Sequence, residues 1–300
     1  ALNMARSDSI YQEDTIPTPL RHIWLNFISY PVAMLGLWVF IGFLVITLIA
    51  PYIAPYPPGL QHPDALLFPP SWHDDGQVSY FLGTDDLGRD ILSNLLHGVR
   101  TTFGSSLIVT IFAAFIGILL GILSGMSRGL KSSILNHILD ATLAIPSLLL
   151  AIVLVAISGQ TMINVMIAVG IALVPQFVRA THTAVHHELS REYVVAAKLD
   201  GANKFQIFYN VILPNVLNAL IVQFTLAISI AIIDIATLGF LRIGAPASTS
   251  EWGTMLADGV DLIFIAPWNV TFPGMAIFAS VLAVNFIGYG LQRAVKEGLG

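Results

Sequence analysis

The sequence predicts an all-α membrane protein with six transmembrane helices. Of its 300 residues, 56% are hydrophobic and 10% are charged, whereas soluble domains carry about 25% charged residues. Six stretches are apolar over the roughly 20 residues that a helix needs to cross a bilayer. A polar, helix-forming segment at 190–214, here named the elbow, separates two of these stretches.

The spans are predicted in chain order, and the loops between them divide the chain into three regions. The expected spans are 32–54, 102–126, 134–157, 162–180, 215–241 and 272–291. Residues 1–31 form an uncleaved N-terminal segment, because the first apolar stretch is too long for a secretory signal. Residues 32–101 hold the first span and a long loop, and residues 102–300 form a five-helix core that includes the elbow.

Basic residues set the expected orientation. With the N-terminus in the cytoplasm, ten of the 13 Lys and Arg residues fall on the cytoplasmic side. Positive charge on that side is typical of inner-membrane proteins. We therefore expect both termini and the elbow in the cytoplasm and the loop that precedes the second span outside.

The elbow is predicted to be a helix, a turn and a second helix. Ser190 is expected to cap a helix over 191–200, with the charge of Glu192 suiting its first turn. Gly201 is expected to end that helix in a left-handed turn. Pro214 marks the first turn of the next span, immediately after Leu213.

Small and apolar side chains within the elbow allow two interpretations. Ala196 and Ala197 would let the backbone of a partner approach closely. In the second helix, Phe205, Phe208 and Ile212 share one face. The residues alone leave open whether the elbow docks a soluble partner or is an amphipathic connector at the membrane surface.

The loop before the second span contains prolines that stiffen it, followed by three aspartates, Asp85, Asp86 and Asp90. Their spacing does not match a calcium-binding loop, so turn and helix-capping roles are favoured and no metal site is predicted. Residues 91–99 are expected to form a separate helix on the outer surface. In the second span, Gly117, Gly121 and Gly125 recur every fourth residue and predict close helix packing.

Two acidic residues within the spans are candidates for the translocation path. Asp140 and Asp234 are costly in lipid and should face protein or water. They would attract a cationic substrate or, alternatively, form structural hydrogen bonds to neighbouring helices. His182 and His186 have the spacing of a metal pair on a helix, but a solvated cluster is favoured.

Composition and missing motifs exclude several functions. The absence of cysteine excludes disulfides and thiolate sites, and a net charge of −5 argues against nucleic-acid binding. The chain has no phosphate-binding loop, because Leu130 stands where the nearest match needs glycine, so it is not itself an ATPase. Two hypotheses remain: a transport subunit driven by a separate ATPase, and a self-contained transporter that uses Asp140 or Asp234 as a proton relay. No catalytic set for an intramembrane hydrolase is evident.

Three motifs resemble those of a known family. The pattern Ala-Ala-x3-Gly-x9-Val-x-Leu-Pro at 196–214 is similar to the EAA loop of bacterial ABC importer permeases, with Val195 where that loop usually has Glu. The stretches at 82–90 and 251–256 resemble the C-type permeases of the dipeptide, oligopeptide and nickel branch. Within this branch, 136–151 and 233–236 are most similar to the Sap-type peptide permeases.

The resemblance implies a type I importer permease of the MetI-like fold, in a bacterial inner membrane, whose elbow docks on an ATPase. It implies a homologous second permease and two ATPase subunits that bind ATP and Mg²⁺, with no cofactor in this chain. The Sap-type permeases are associated with antimicrobial peptides and with polyamines such as putrescine. The use of a periplasmic binding protein and the direction of transport stay open. The implied coupling residues are Glu192, Ala196, Ala197, Gly201, Leu213 and Pro214.

Overall fold

The structure is a computed structural model that describes residues 19–127, 130–244, 246 and 249–299. The described chain is helical apart from its loops. Its α-helices are α1 (Pro19–Ile28), α2 (Pro31–Ile53), α3 (Ile91–Gly98), α4 (Ser105–Gly125), α5 (Leu130–Leu143), α6 (Ser147–Ser158), α7 (Met162–Leu189), α8 (Glu192–Leu199), α9 (Lys204–Ile207), α10 (Leu213–Phe240), α11 (Trp252–Gly259) and α12 (Trp268–Leu299).

Five helices of the described chain are long and apolar enough to cross a membrane, and a bent pair makes a sixth candidate. The predicted span at 134–157 is not one straight helix, because α5 and α6 meet at an angle of 82°. Pro146 lies at this break, where it lacks the N–H that would continue the helix. The all-α architecture with up to six crossings is confirmed, with this correction to the third.

The predicted surface helix at 91–99 is not a separate element. A π-helical stretch, Val99–Gly104, joins α3 to α4, and Ile91–Gly125 is one candidate span of 35 residues. Gly98 contacts the indole of the buried Trp252, whose Nε1 donates to the Leu95 carbonyl at 3.1 Å. Packing against α11 therefore draws these residues into the bundle.

The glycine stripe of α4 packs against α7, as predicted. A side chain at Gly121 would overlap Thr181, and one at Gly125 would lie 2.9 Å from the Val185 Cβ. Gly121 faces Thr181 and Gly125 faces Val185, so the contacts advance in the same direction along both helices. Helices α4 and α7 therefore run parallel and end on the same side of the bundle. The elbow follows α7, so it lies on the side where α4 ends.

The ends of the described chain lie on this same side. Helices α10 and α12 are antiparallel, because Thr225 contacts Gly288 whereas Ser229 contacts Asn285. The last turns of α12 therefore lie near the start of α10, and Glu297 accepts a hydrogen bond from Tyr30 at 2.6 Å. Residues 19–28 of the expected polar segment form α1, whose Phe27 is buried against α12, while residues 1–18 lie outside the described residues.

The proline-rich loop, residues 54–90, is held to the opposite side of the bundle by an ion-pair network. Asp85 accepts hydrogen bonds from the backbone N–H groups of Leu87 and Arg89 at 3.0 and 2.7 Å. The Arg89 guanidinium pairs with Asp85 and, at 2.7 Å, with Asp258 of α11. Arg242, which follows the end of α10, also pairs with Asp258, at a distance of 2.9 Å. This network joins the loop to both helices.

Candidate functional site

The elbow has the predicted helix, turn and helix. Helix α8 ends in a left-handed turn, with Gly201 at φ +85°. The Ala202 N–H donates to the Ala197 carbonyl at 3.0 Å, which is the longer hydrogen bond of a Schellman cap. A side chain at Gly201 would meet open space, so only the backbone conformation selects glycine here. The predicted turn is confirmed.

The predicted start of the elbow needs a correction. Ser190 does not cap α8, because its hydroxyl donates back to the His187 carbonyl at 2.7 Å and it ends α7 instead. Helix α8 starts at Glu192, whose exposed carboxylate lies in the first turn. The second helix begins with a reciprocal cap, in which the side chains of Asn203 and Gln206 each accept from the other's N–H at 2.9 Å.

One face of the elbow packs on the bundle and the other is exposed. Val194, Ile207 and Ile212 are buried in an apolar cluster with Val185 of α7. Ala197 packs against this cluster, whereas Ala196 is exposed, so the two alanines do not share one partner-facing surface. Phe208 also packs against the cluster, whereas the side chain of Phe205 lies outside the described residues. The large exposed apolar side chains of the elbow include Tyr193, Val195, Leu199 and Tyr209.

The elbow continues into α10 without a helical break. A π-helical stretch, Phe208–Ile212, joins α9 to α10, which begins at Leu213. Leu213 is half-buried and Pro214 is exposed in the first turn, as expected for a proline near a helix start. The predicted position of Pro214 is confirmed.

A cavity of about 640 Å³ opens between α7 and α10 on the elbow side of the bundle. Its lining is rich in amide side chains, with few charges. The polar lining residues include Arg179, Glu188, Asn215, Asn218, Gln223 and Gln292. Amide side chains spaced along separate helices give no local motif, so this cavity is not predictable from the sequence alone.

The two intramembrane acids lie in different surroundings. Asp140 pairs with Arg179 of α7 at 2.9 Å beside a second cleft of about 500 Å³, and both side chains are about half exposed. Asp234 is 5% exposed, and Ser147 of α6 donates to it at 3.1 Å. The structure does not bring the two acids together. Asp140 borders a cleft, as a residue of the translocation path would. Asp234 instead makes a structural hydrogen bond to a neighbouring helix, which was the alternative hypothesis.

The expectation of a solvated histidine cluster is correct for His186, which is exposed, and wrong for His182. His182 is buried, and its Nδ1 lies 3.0 Å from the Ser124 hydroxyl of α4. It stacks on His186 with ring centroids 5.9 Å apart. Among the described residues, no group of three metal-ligating side chains comes together. His182 therefore has a packing role between α7 and α4.

Two of the loop aspartates have the predicted turn and capping roles. Asp90 caps α3 by accepting from the Ser93 N–H at 2.8 Å, and Asp85 is enclosed by its loop and Arg89. Burial raises the pKa of the Asp85 carboxyl, and the charge of Arg89 opposes this rise. Of the loop acids, Asp64, Asp74, Asp75 and Asp86 stay exposed.

Comparison with known proteins identifies the family of this chain. The profile of the family described as "Binding-protein-dependent transport system inner membrane component" matches residues 117–299. The chain belongs to this family. The permease also matches the "N-terminal TM domain of oligopeptide transport permease C" over residues 18–70.

Curated relatives place the permease in the C-type peptide branch. It is 48% identical to the "Peptide transport system permease protein SapC" of Escherichia coli O6:H1, over 97% of this chain and 99% of the relative. It is 45% identical to the "Di/tripeptide transport system permease protein DppC" of Pseudomonas aeruginosa, over 94% and 93% of the two chains. These matches confirm the branch that the motifs at 82–90 and 251–256 predicted.

A solved structure supports the fold. The permease aligns with a chain of the MetNI methionine ABC transporter in an inward-facing conformation, with a TM-score of 0.54 and 21% identity. The alignment covers 68% of this chain and 96% of that chain. The MetI-like architecture that the resemblance implied is confirmed.

Proposed function

We propose that this permease forms one half of the path of an ATP-driven peptide transporter in a bacterial inner membrane. A homologous second permease supplies the other half. Two separate ATPase subunits bind ATP and Mg²⁺ and dock on the elbow, which faces the cytoplasm together with both chain termini. The implied coupling residues are Glu192, Ala196, Ala197, Gly201, Leu213 and Pro214.

The observation that carries this proposal is the continuity between the elbow and the cavity. Helix α7 leads into the elbow and α10 leads out of it, and both helices line the cavity of about 640 Å³. A rigid-body shift of the elbow would move the ends of both helices, and helix shifts of this kind open and close sites in many proteins. ATP hydrolysis on a docked subunit would then change access to the cavity.

Peptides are the cargo that the site supports best. The named relatives are peptide transport permeases. Amide side chains such as those of Asn218 and Gln223 can donate to and accept from a peptide backbone, whatever the side chains of the peptide. Cationic peptides and putrescine are narrower candidates, supported by the four exposed loop acids and by the resemblance.

The test is transport by the complete complex in proteoliposomes, with its second permease and ATPase subunits. We expect movement of a labelled peptide that needs ATP on the elbow side and that a non-hydrolysable ATP analogue does not support. Competition by unlabelled neutral peptides, cationic peptides and putrescine would rank the cargo. A binding protein added on the opposite side would show whether delivery is required and in which direction cargo moves.

The opposite outcome would favour a self-contained transporter. Transport by this chain alone, driven by a proton gradient and lost in Asp140→Asn or Asp234→Asn, would overturn the ATP-driven proposal. The contacts of the two acids argue against a relay, because Asp140 pairs with Arg179 and Asp234 bonds to Ser147.

A further inference from the structure

Tyr193, in the first turn of α8, contacts both helices that flank the elbow. Its hydroxyl donates to Glu188 Oε2 in the last turn of α7. It also accepts a hydrogen bond from Asn215 Nδ2, at 3.4 Å, in the first turn of α10. One phenol oxygen therefore links three helices within the described structure.

The two partners of Tyr193 belong to the cavity. Glu188 and Asn215 both line the space of about 640 Å³ between α7 and α10. The Glu188 side chain is 14% exposed, so its orientation is constrained by its surroundings. Tyr193 itself is 45% exposed and borders the face of the elbow that is free to meet a partner.

The other attachment of α8 is apolar. Val194 is fully buried in the cluster formed with Val185, Ile207 and Ile212. Apolar burial is non-directional, so it holds the helix down without fixing its rotation. A hydrogen bond depends on the angle at the donor and the acceptor, and the Tyr193 hydroxyl adds that directional constraint.

The phenol keeps its proton under ordinary conditions. Burial, followed by the hydrogen bond to Glu188, raises the pKa of Tyr193 to about 12. Because the folded-state pKa lies above the unfolded value of about 10, the contribution of this proton is complete below pH 10 and is lost toward pH 12. The hydroxyl therefore donates to Glu188 throughout the neutral range.

We propose that Tyr193 is a positioning residue that transmits movement of the elbow to the cavity-lining ends of α7 and α10. This inference rests on the proposed function, since it assumes that an ATPase moves the elbow. With the hydroxyl in place, α8, Glu188 and Asn215 move together. Without the hydroxyl, α8 rotates about the buried Val194, and the cavity-lining ends of α7 and α10 do not move with it.

The first test replaces Tyr193 by Phe in the complete complex. The ring and its packing remain, and only the two hydrogen bonds are lost. We expect ATPase activity close to that of the unaltered complex and a fall of about five-fold or more in peptide transported per ATP, the size of a typical coupling between sites. Tyr209→Phe is the matched control, because Tyr209 is exposed on the same elbow and its described contact is with the ring of Phe208.

Substitutions at the acceptor separate positioning from simple stability. Glu188→Gln keeps an oxygen that can accept from Tyr193, so we expect it to lower transport per ATP less than Glu188→Ala does. Glu188→Ala removes the acceptor and should reproduce the defect of Tyr193→Phe. Combined with Tyr193→Phe, it should add little, because both changes break the same interaction.

The outcomes distinguish this inference from the proposed function. If the unaltered complex shows ATP-driven transport and Tyr193→Phe leaves transport per ATP unchanged, the positioning role is wrong and the proposed function stands. If Tyr193→Phe prevents the ATPase subunits from copurifying, the residue acts in docking and the positioning role is also wrong. If the unaltered complex shows no ATP-dependent transport, both proposals fail.

Discussion

At Gly201 the backbone conformation favours glycine, whereas the surrounding space would accept a larger side chain. The φ angle of +85° is one that residues with a Cβ adopt only at a cost, yet a Cβ there would touch nothing. The demand for glycine therefore comes from the turn alone. This separation makes the position suitable for testing whether the turn itself couples the elbow to transport.

We predict that Gly201→Val lowers peptide transport per ATP, whereas Gly201→Asn largely preserves it. A left-handed backbone costs an ordinary residue about 1–2 kcal/mol, and asparagine tolerates it better than a β-branched residue. A cost of this size shifts the turn equilibrium by about 5- to 30-fold. ATPase and transport rates of the reconstituted complex measure the effect, and equal coupling in both variants would show that the left-handed turn is dispensable.

Single residues were predictable from sequence where the chemistry is local. Gly201 and Pro214 follow from backbone conformation and from the missing N–H of proline, which depend on neighbours in sequence. Ser190 was assigned to the wrong helix, because a serine between two helices can bond in either direction. The role of Tyr193 is not evident from sequence, because a five-residue separation from Glu188 is no regular helical spacing and Asn215 is 22 residues away on α10.

At the scale of the element, the α4–α7 pair shows how glycines on one helix allow the two helices to approach closely. Gly117, Gly121 and Gly125 place the backbone of α4 directly against side chains of α7, including Thr181. Within a membrane, no hydrophobic driving force brings two helices together, because lipid tails are as apolar as the side chains. The dispersion contacts that this close approach supplies therefore stabilise the pair. The parallel pair supports the helix that carries the elbow.

We predict that Gly121→Ala destabilises the permease by about 1–3 kcal/mol, the usual cost of overpacking a core. The added methyl group would overlap the Thr181 Cβ, which is fixed to the backbone of α7. Gly42→Ala is the matched control, since a Cβ at Gly42 in α2 has no atom within 4 Å. Thermal unfolding in detergent measures both, and equal melting temperatures would contradict close packing at Gly121.

Hydropathy predicted which stretches cross the bilayer but not where helices bend. The break at Pro146 follows from the missing N–H of proline, which hydropathy does not register. The fusion of α3 with α4 depends on a tertiary contact, the packing of Trp252 on Gly98. The elbow boundaries agreed to within a residue or two, because the turn at Gly201 marks them strongly. The cavity between α7 and α10 needs the fold, since its residues come from distant parts of the sequence.

Across the whole molecule, one guanidinium links the proline-rich loop to the bundle. The side chain of Arg89 is 12% exposed and contacts both Asp85 and Asp258, whereas Arg242 is 58% exposed and pairs with Asp258. Buried pairs are costly to break, because the remaining charge loses its partner without regaining water. Exposed pairs contribute little.

We predict that Arg89→Gln destabilises the permease by about 3–5 kcal/mol and makes residues 54–90 sensitive to limited proteolysis. Arg242→Gln should cost less than about 1 kcal/mol, because its exposed charge is already solvated. Thermal unfolding and protease digestion from the loop side measure the difference. Similar behaviour of the two variants would mean that other contacts hold the loop, such as the hydrogen bond that Trp268 Nε1 of α12 donates to the Thr84 carbonyl at 3.1 Å.

Because Pro19 and Leu299 both lie on the elbow side, a segment joined directly at either residue would need no additional crossing. A single polypeptide that joins this permease to an ATPase domain, or to a second permease of the same topology, would need only a polar linker. Such fusions would fix subunit stoichiometry by covalent connection. The same placement means that an affinity tag joined directly at Pro19 or Leu299 would lie on the same side of the bundle as the elbow.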